Sequence, residues 1–293
     1  MIILLGGSGY VGSIFQSELT SRRLNFLSLT RSQLDYTQPL LLQSALQKHA
    51  AKFVINCAGY TGKPNVDACE VHKRECLQGN AVLPGTIADV CGTLGIPWGH
   101  VSSGCIYTGC KPNGNGFAEI DSPNFTFRQN NCSFYSGCKA LGEEVLESAE
   151  SCYLWRLRIP FSEVDSSRNY LSKVQRYSKL LDATNSLSDL GDFVRCCIDC
   201  IDRSIPFGKY NLTNPGAVTT RQVAQLIQKH INPQQQFSFF EDERQFMEVA
   251  VKTPRSNCVL DSSKAIAAGL KLTPVEEAIE RALSCWVPES IKA

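Results

Sequence analysis

Met1-Ile-Ile-Leu-Leu5 runs directly into Gly6-Gly-Ser-Gly9-Tyr-Val-Gly12, a junction that few folds accommodate. The apolar run is the length of a buried strand, and Val11, Ile14, Phe15 and Leu19 then recur at helical spacing. Glycines between a strand and a helix permit a tight turn and close packing of the helix against it. They also let the backbone approach a pyrophosphate at the positive end of the helix dipole.

The same alternation continues. Residues 26–29, 53–55 and 98–101 read as further buried strands, and Val82, Ile87, Val90 and Leu94 mark a helix before the last of them. Strand-helix-strand order predicts a Rossmann-like, doubly wound parallel α/β sheet. Residues 111–131 are rich in Gly, Pro, Asn and Ser and predict a long loop, and residues 152–159 predict another strand. Helical patterns near 169–181, 221–231 and 274–286 then place a smaller, partly interleaved substrate domain at the C-terminal end. The expected division is 1–160 for the dinucleotide-binding domain and 161–293 for the substrate region, with part of 182–205 returning to the sheet.

Composition narrows the partner. A formal charge of +1 on 293 residues supplies no basic field for nucleic acid or anionic lipid. The opening apolar run is too short for a signal peptide or a membrane span, so no membrane association is expected. Fourteen cysteines scattered through regular segments suggest a reducing, cytoplasmic setting. Cys196, Cys197 and Cys200 lack a second ligand pair and lie among Phe193, Ile198 and Ile201, which favours packing; no metal site is expected. His49, His72, His100 and His230 are too dispersed for a triad.

Two patterns carry chemistry. Tyr135-Ser-Gly-Cys-Lys139 opens a helix and puts a phenol and an ammonium one turn apart on one face. The ammonium is expected to lower the phenol's pKa, so that Tyr135 can act as a general acid. Upstream, the strand beginning at Trp98 ends in Ser102-Ser103. The second strand ends in Leu29-Thr-Arg31, where an acidic residue would bind the ribose 2′-hydroxyl of NAD; Arg31 suits the 2′-phosphate of NADP(H).

Segments along nearly the whole chain carry a resemblance. They are Val54-Ile-Asn-Cys-Ala-Gly-Tyr-Thr-Gly-Lys-Pro-Asn-Val-Asp67, Ser103-Gly-Cys-Ile-Tyr107, Pro123-Asn-Phe-Thr126, Ser133-Phe-Tyr-Ser136, Leu157-Arg-Ile-Pro160, Asn211-Leu-Thr-Asn-Pro-Gly216 and Pro254-Arg-Ser-Asn257. The chain resembles the extended short-chain dehydrogenases/reductases and, within them, the dTDP-4-dehydrorhamnose reductase family. It is most similar to the bifunctional nucleotide-4-keto-6-deoxyglucose 3,5-epimerase/4-reductases of plant-type UDP-rhamnose synthesis.

The resemblance implies Ser103, Tyr135 and Lys139 as the reductase set, and Cys105 and Lys173 as the proton-transfer pair of epimerisation. It implies cofactor contacts from Gly6, Gly9, Tyr10, Val11, Gly12, Arg31, Asp35, Ala58, Tyr60 and Lys139, and substrate contacts from Arg255, Asn65 and Asn124. Epimerisation beside a ketone needs ionisable groups on both faces of an enolate, which a thiol and an amine can supply.

Related 4,6-dehydratases carry Asp-Glu where this chain has Gly104-Cys105, so dehydration is not expected. With no preceding dehydratase domain in the sequence, another protein is expected to supply the keto sugar. The implied activity is NADPH-dependent C4 reduction of UDP- or dTDP-4-keto-6-deoxyglucose with 3,5-epimerisation, by a chain that could form a homodimer. The alternatives are a 4-reductase without epimerase activity and a non-catalytic NADP-binding regulatory subunit.

Overall fold

The computed structural model describes residues 1–289. Six parallel strands form the central sheet: β1 (Ile2–Leu5), β2 (Phe26–Leu29), β3 (Phe53–Asn56), β4 (Trp98–Ser103), β5 (Cys152–Leu157) and β6 (Gly208–Asn211). Their spatial order is β2-β1-β3-β4-β5-β6, with Leu5 opposite Asn56 and Ser103 opposite Leu157. The chain therefore reverses direction across the sheet between β1 and β3, and a doubly wound sheet opens a crevice at the carboxyl ends there.

Helices cover both faces, and the central strands β3, β4 and β5 are buried along their whole length. α1 (Tyr10–Ser21) lies on one face, with Phe15 and Leu19 packed against Leu4, Phe53 and Trp155. α2 (Pro39–Lys48) and α3 (Leu83–Leu94) cover the other, burying Leu42, Leu46, Ile87 and Val90 against Ile3, Leu5 and Val54. α4 (Phe134–Val145) runs beside the carboxyl half of β4, capped by Ser133, whose hydroxyl accepts from the Ser136 amide at 3.2 Å.

A second apolar cluster lies outside the sheet. It joins α5 (Tyr170–Arg176), α7 (Thr220–His230) and α8 (Val275–Ser284) through Leu171, Val174, Val223, Ile227, Val275 and Ile279. α6 (Leu190–Asp202) and β6 belong by packing to the sheet, although the chain between β5 and α6 contributes Phe161, Leu171 and Leu187 to the outer cluster. Cys196, Cys197 and Cys200 are buried in the sheet-side core, and among the described residues no group could hold a metal ion. No described helix is long and apolar enough to cross a membrane.

Two expected elements are shorter than the sequence pattern. β5 stops at Leu157, because Ile159 takes φ 37° and turns Pro160–Phe161 away to pair with Ser188–Asp189. The helix expected over 169–181 covers Tyr170–Arg176 only. Leu180 instead exchanges backbone hydrogen bonds with Ser238 and Phe240, which an extended chain makes and a helix cannot.

Candidate active site

The glycine turn is fixed by close backbone approach. Gly6 has φ +78°, and a Cβ there would lie 2.6 Å from the Ala58 nitrogen; one on Gly12 would lie 2.2 Å from the Gly6 carbonyl oxygen. Gly9 is different, since a Cβ there would meet only the Gly6 oxygen, at 3.3 Å, and otherwise open space. Gly9 also caps α1 without a side-chain hydrogen bond, and the first turn carries no acid. Those amides are therefore available to an anion, which is the arrangement a dinucleotide diphosphate requires. Tyr10 is turned inward, its hydroxyl 3.3 Å from Ser162 Oγ, and burial pushes its phenol up to about 12.

The floor of this cradle is tied to the sheet by a relay. His100 Nδ1 lies 3.0 Å from Asn56 Nδ2, and Asn56 Oδ1 accepts from the Ala58 amide at 2.9 Å. Burial holds His100 well below its ordinary pKa, so it stays neutral and accepts from Asn56. Asn80 grips both backbone groups of Tyr60 in the loop after β3, accepting its N–H at 3.2 Å and donating to its carbonyl at 2.7 Å. At the mouth of β2, Arg31 is exposed with its guanidinium 5.9 Å from the Tyr36 ring. The neighbouring Asp35 carboxylate accepts from Thr37 Oγ1 at 2.5 Å, which holds its pKa below the ordinary value.

Ser103, Cys105, Tyr135 and Lys139 converge where β4 ends. Ser103 Oγ accepts from the Cys105 amide at 3.2 Å, capping the 3₁₀ turn Gly104–Ile106. Tyr135 packs against the cluster containing Cys105, and the Ser103 hydroxyl favours its ionised form. Lys139 is buried with Nζ 3.5 Å from the Val101 carbonyl, and a Cβ on Gly59 would lie 3.7 Å from that Nζ. One turn further along α4, Glu143 accepts from Ser102 Oγ at 2.6 Å and from Arg156 Nη2 at 2.6 Å and Nε at 3.0 Å, which fixes the helix on β4 and β5.

The electrostatics correct one expectation. Tyr135 is held well above its ordinary pKa, first by burial and then by the nearby Cys105, Cys69 and Cys76 thiols; it is not lowered by Lys139. Lys139 is itself desolvated, and burial lowers its own pKa while Cys105 and Glu143 oppose the shift. The phenol is thus firmly protonated, as a proton donor must be. Burial likewise raises the Cys105 thiol, against the pull of Ser103, Arg158 and Lys139.

The remaining candidates lie on other elements. Lys173 is on α5, its pKa lowered by burial and then by Arg168. Arg168 donates to Thr61 Oγ1 at 2.8 Å and to the Gly62 carbonyl at 3.2 Å, so it ties the Lys173 segment to the loop that follows Tyr60. Arg255 pairs with Asp67 at 2.8 Å, and Asn65 Oδ1 accepts from the Asp67 amide at 2.8 Å, which gathers these three at one edge of that loop. Asn124 is engaged elsewhere. Its Oδ1 accepts from the Thr108 amide at 2.8 Å and its Nδ2 donates to the Thr108 carbonyl at 2.9 Å, so its amide clamps the loop after the 3₁₀ turn.

Asn56, Asn80, Glu143, Arg156, Arg158 and Arg168 support the site and were given no role from the sequence, although Asn56 and Arg158 lie within the segments that carry the resemblance. Glu143 had a legible signal, since it continues the i, i+4 series of Tyr135 and Lys139. Arg156 reaches Glu143 across 13 residues, and Asn80, Arg158 and Arg168 reach partners 20 or more residues away, separations for which local spacing holds no cue.

The fold and this cradle define a Rossmann-like α/β protein of the nucleotide-binding kind. The model of the RmlD substrate binding domain matches residues 1–286, and the chain belongs to that family. It is 32% identical to the bifunctional dTDP-4-dehydrorhamnose 3,5-epimerase/dTDP-4-dehydrorhamnose reductase of Arabidopsis thaliana, over 94% of this chain and 90% of the relative. It is also 32% identical to a trifunctional UDP-glucose 4,6-dehydratase/UDP-4-keto-6-deoxy-D-glucose 3,5-epimerase/UDP-4-keto-L-rhamnose-reductase of the same plant, over 94% of this chain. The chain spans 40% of the length of that relative. Among solved structures, the UDP-rhamnose synthase of Acanthamoeba polyphaga mimivirus superposes with a TM-score of 0.89 at 22% identity, covering 97% of this chain and 98% of the other. The dTDP-4-dehydrorhamnose reductase of Bacillus anthracis in complex with NADP gives 0.79 at 19% identity and 96% coverage of both chains.

Proposed function

We propose that this chain reduces a nucleotide-linked 4-keto-6-deoxyhexose at C4 with NADPH, and epimerises C3 and C5 in the same site, yielding an activated L-rhamnose. The observation that carries this reading is the convergence of Ser103, Cys105, Tyr135 and Lys139 at the carboxyl end of β4, next to a glycine cradle with open amides. The names of the plant relatives support the reaction, and the NADP complex of the Bacillus anthracis relative supports the cofactor.

Gly6, Gly9, Gly12 and the first turn of α1 would hold the dinucleotide diphosphate, with Arg31 placed for a 2′-phosphate. When bound, the dinucleotide supplies the hydride that reduces the C4 ketone. Ser103 and Tyr135 hold the ketone oxygen, and Tyr135 gives its proton to the developing alkoxide. Lys139 would hold the ribose hydroxyls of the bound dinucleotide. Cys105 and Lys173 move protons at C3 and C5, and Arg255 binds the nucleotide diphosphate.

The test uses UDP- and dTDP-4-keto-6-deoxyglucose in deuterated water, with NADPH consumption followed optically and deuterium at C3 and C5 by NMR. Wild-type protein is expected to consume NADPH and label both carbons, with labelling lost in Cys105→Ala and Lys173→Ala. Reduction without labelling would leave a simple 4-reductase, and no NADPH consumption with either sugar would overturn the reading.

A further inference from the structure

Arg158 is a buried cation that no carboxylate pairs among the described residues. It leaves β5 at the break in that strand, with 6% of its surface exposed. Nη2 donates to Asn185 Oδ1 at 2.7 Å and to the Ser256 carbonyl, while Nε is buried without a partner. Arg156, two residues earlier, is closed by Glu143 at 2.6 Å; among the described residues no carboxylate does the same for Arg158. A desolvated guanidinium left in this state is costly, and a negative charge formed beside it would relieve that cost.

The surroundings indicate where that charge forms. The Arg158 side chain runs behind the 3₁₀ turn, since a Cβ on Gly104 would lie 3.5 Å from its Cδ. Its guanidinium pulls down the thiols of Cys105 and Cys258 and the phenol of Tyr170, which neighbours the Lys173 turn on α5. The Cys105 sulfur is also faced by the Ser103 hydroxyl, by Ser136, Tyr135 and Lys139 from α4, and by Cys69 and Cys132. Of these only Lys139 is a cation, and it is committed to the reductase set.

We propose that Arg158 is a positioning residue for epimerisation, holding the Cys105 sulfur as the thiolate formed when that thiol delivers its proton to the sugar. This rests on the reading of Cys105 and Lys173 given above and assigns them directions. Lys173, as the amine, takes the α-hydrogen as a proton; the C–H electron pair becomes the enolate double bond, and the charge moves to the C4 oxygen. Cys105 then gives its proton to the same carbon from the opposite face, the S–H pair stays on sulfur and the ketone re-forms. The site is left with one ammonium and one thiolate, which exchange protons with solvent to reset. Burial lowers the Lys173 pKa and raises that of Cys105, the directions these two roles need.

The test compares wild type with Arg158→Gln and Arg158→Lys, with NADPH binding as the control for folding. The pH dependence of Cys105 alkylation by iodoacetamide is read by peptide mass spectrometry, beside deuterium entry at C3 and C5. Arg158→Gln is expected to move the Cys105 titration up by about one unit and slow labelling about ten-fold. Arg158→Lys is expected to give a smaller upward shift, since a point charge replaces a fixed fork. A structural role alone would leave the titration unmoved, and an unmoved titration in both variants overturns the proposal. If Arg158→Gln does not bind NADPH, the shift in Arg158→Lys decides. Absence of labelling in wild type would instead remove the epimerase reading, while the titration would still judge the coupling of Arg158 to Cys105.

Discussion

On one side of the site, Ser103, Tyr135 and Lys139 stand on β4 and α4, and the groups behind them are locked by Glu143, Ser102 and Arg156. On the other side, Lys173 stands on a seven-residue helix, while Arg168 and Arg255 come from loops and reach across to Thr61, Gly62 and Asp67. The first side is set by regular backbone and a buried ion pair; the second is set by long, partly exposed side chains. Reduction needs a fixed relation among a hydride donor, a ketone and an acid, and regular elements provide it. The contacts proposed for the nucleotide and for C3 and C5 fall to the looser construction.

The largest effect that would break this contrast comes from Arg156→Met. Leaving Glu143 buried without its partner is expected to cost about 3–5 kcal/mol in denaturant unfolding, so a loss under about 1 kcal/mol would mean that the pair does not lock α4. Tyr135→Phe removes one hydroxyl and little volume. Reduction is expected to fall by a factor on the order of a hundred or more, with NADPH binding and unfolding midpoint retained; near-normal turnover would take Tyr135 out of the chemistry.

The pH dependence of stability probes the relay under the cradle. His100 has a folded-state pKa well below its unfolded value of about 6.5, so its contribution is complete above that pH. Below it the unfolded chain binds the proton first, and stability falls by up to about 1.4 kcal/mol per pH unit. His100→Gln is expected to flatten that slope between pH 6.5 and 5, and an unchanged slope would assign it to other groups. The smallest effect belongs to the looser side. Arg255→Ala is expected to change stability by about 1 kcal/mol or less, because its pair with Asp67 is partly exposed, while raising KM for the sugar nucleotide about ten-fold.

The same contrast explains what was legible in the sequence. β1 and its glycine turn, the ends of β4 and the Tyr135–Lys139 pair are written in contiguous residues whose spacing fixes their geometry. Glu143 could have been found by extending that spacing one more turn. Arg158 and Arg168 could not, because their partners Asn185, Ser256 and Thr61 are brought to them only by tertiary packing. The overlong strand and helix expected at 152–159 and 169–181 fail for a related reason. Ile159 and Leu180 fit the local apolar pattern, but long-range pairing claims them, through the Pro160–Phe161 bend in one case and Phe240 in the other.

The late arrival of β6 has a consequence for synthesis of the chain on the ribosome. β5 pairs with β6 in a register of Tyr153 with Gly208 and Arg156 with Asn211, and α6, which covers the face bearing Leu4 and Trp155, ends only at Asp202. The first five strands therefore emerge well before their last partner and their second covering helix. Until then they present an apolar sheet face and an unpaired strand edge, the surfaces through which nascent chains associate wrongly. The interval in which chaperone capture matters most is thus the translation of residues 160–208, which carry the chain through the outer cluster and then through α6 before β6 is made, and slow codons there would lengthen the exposure.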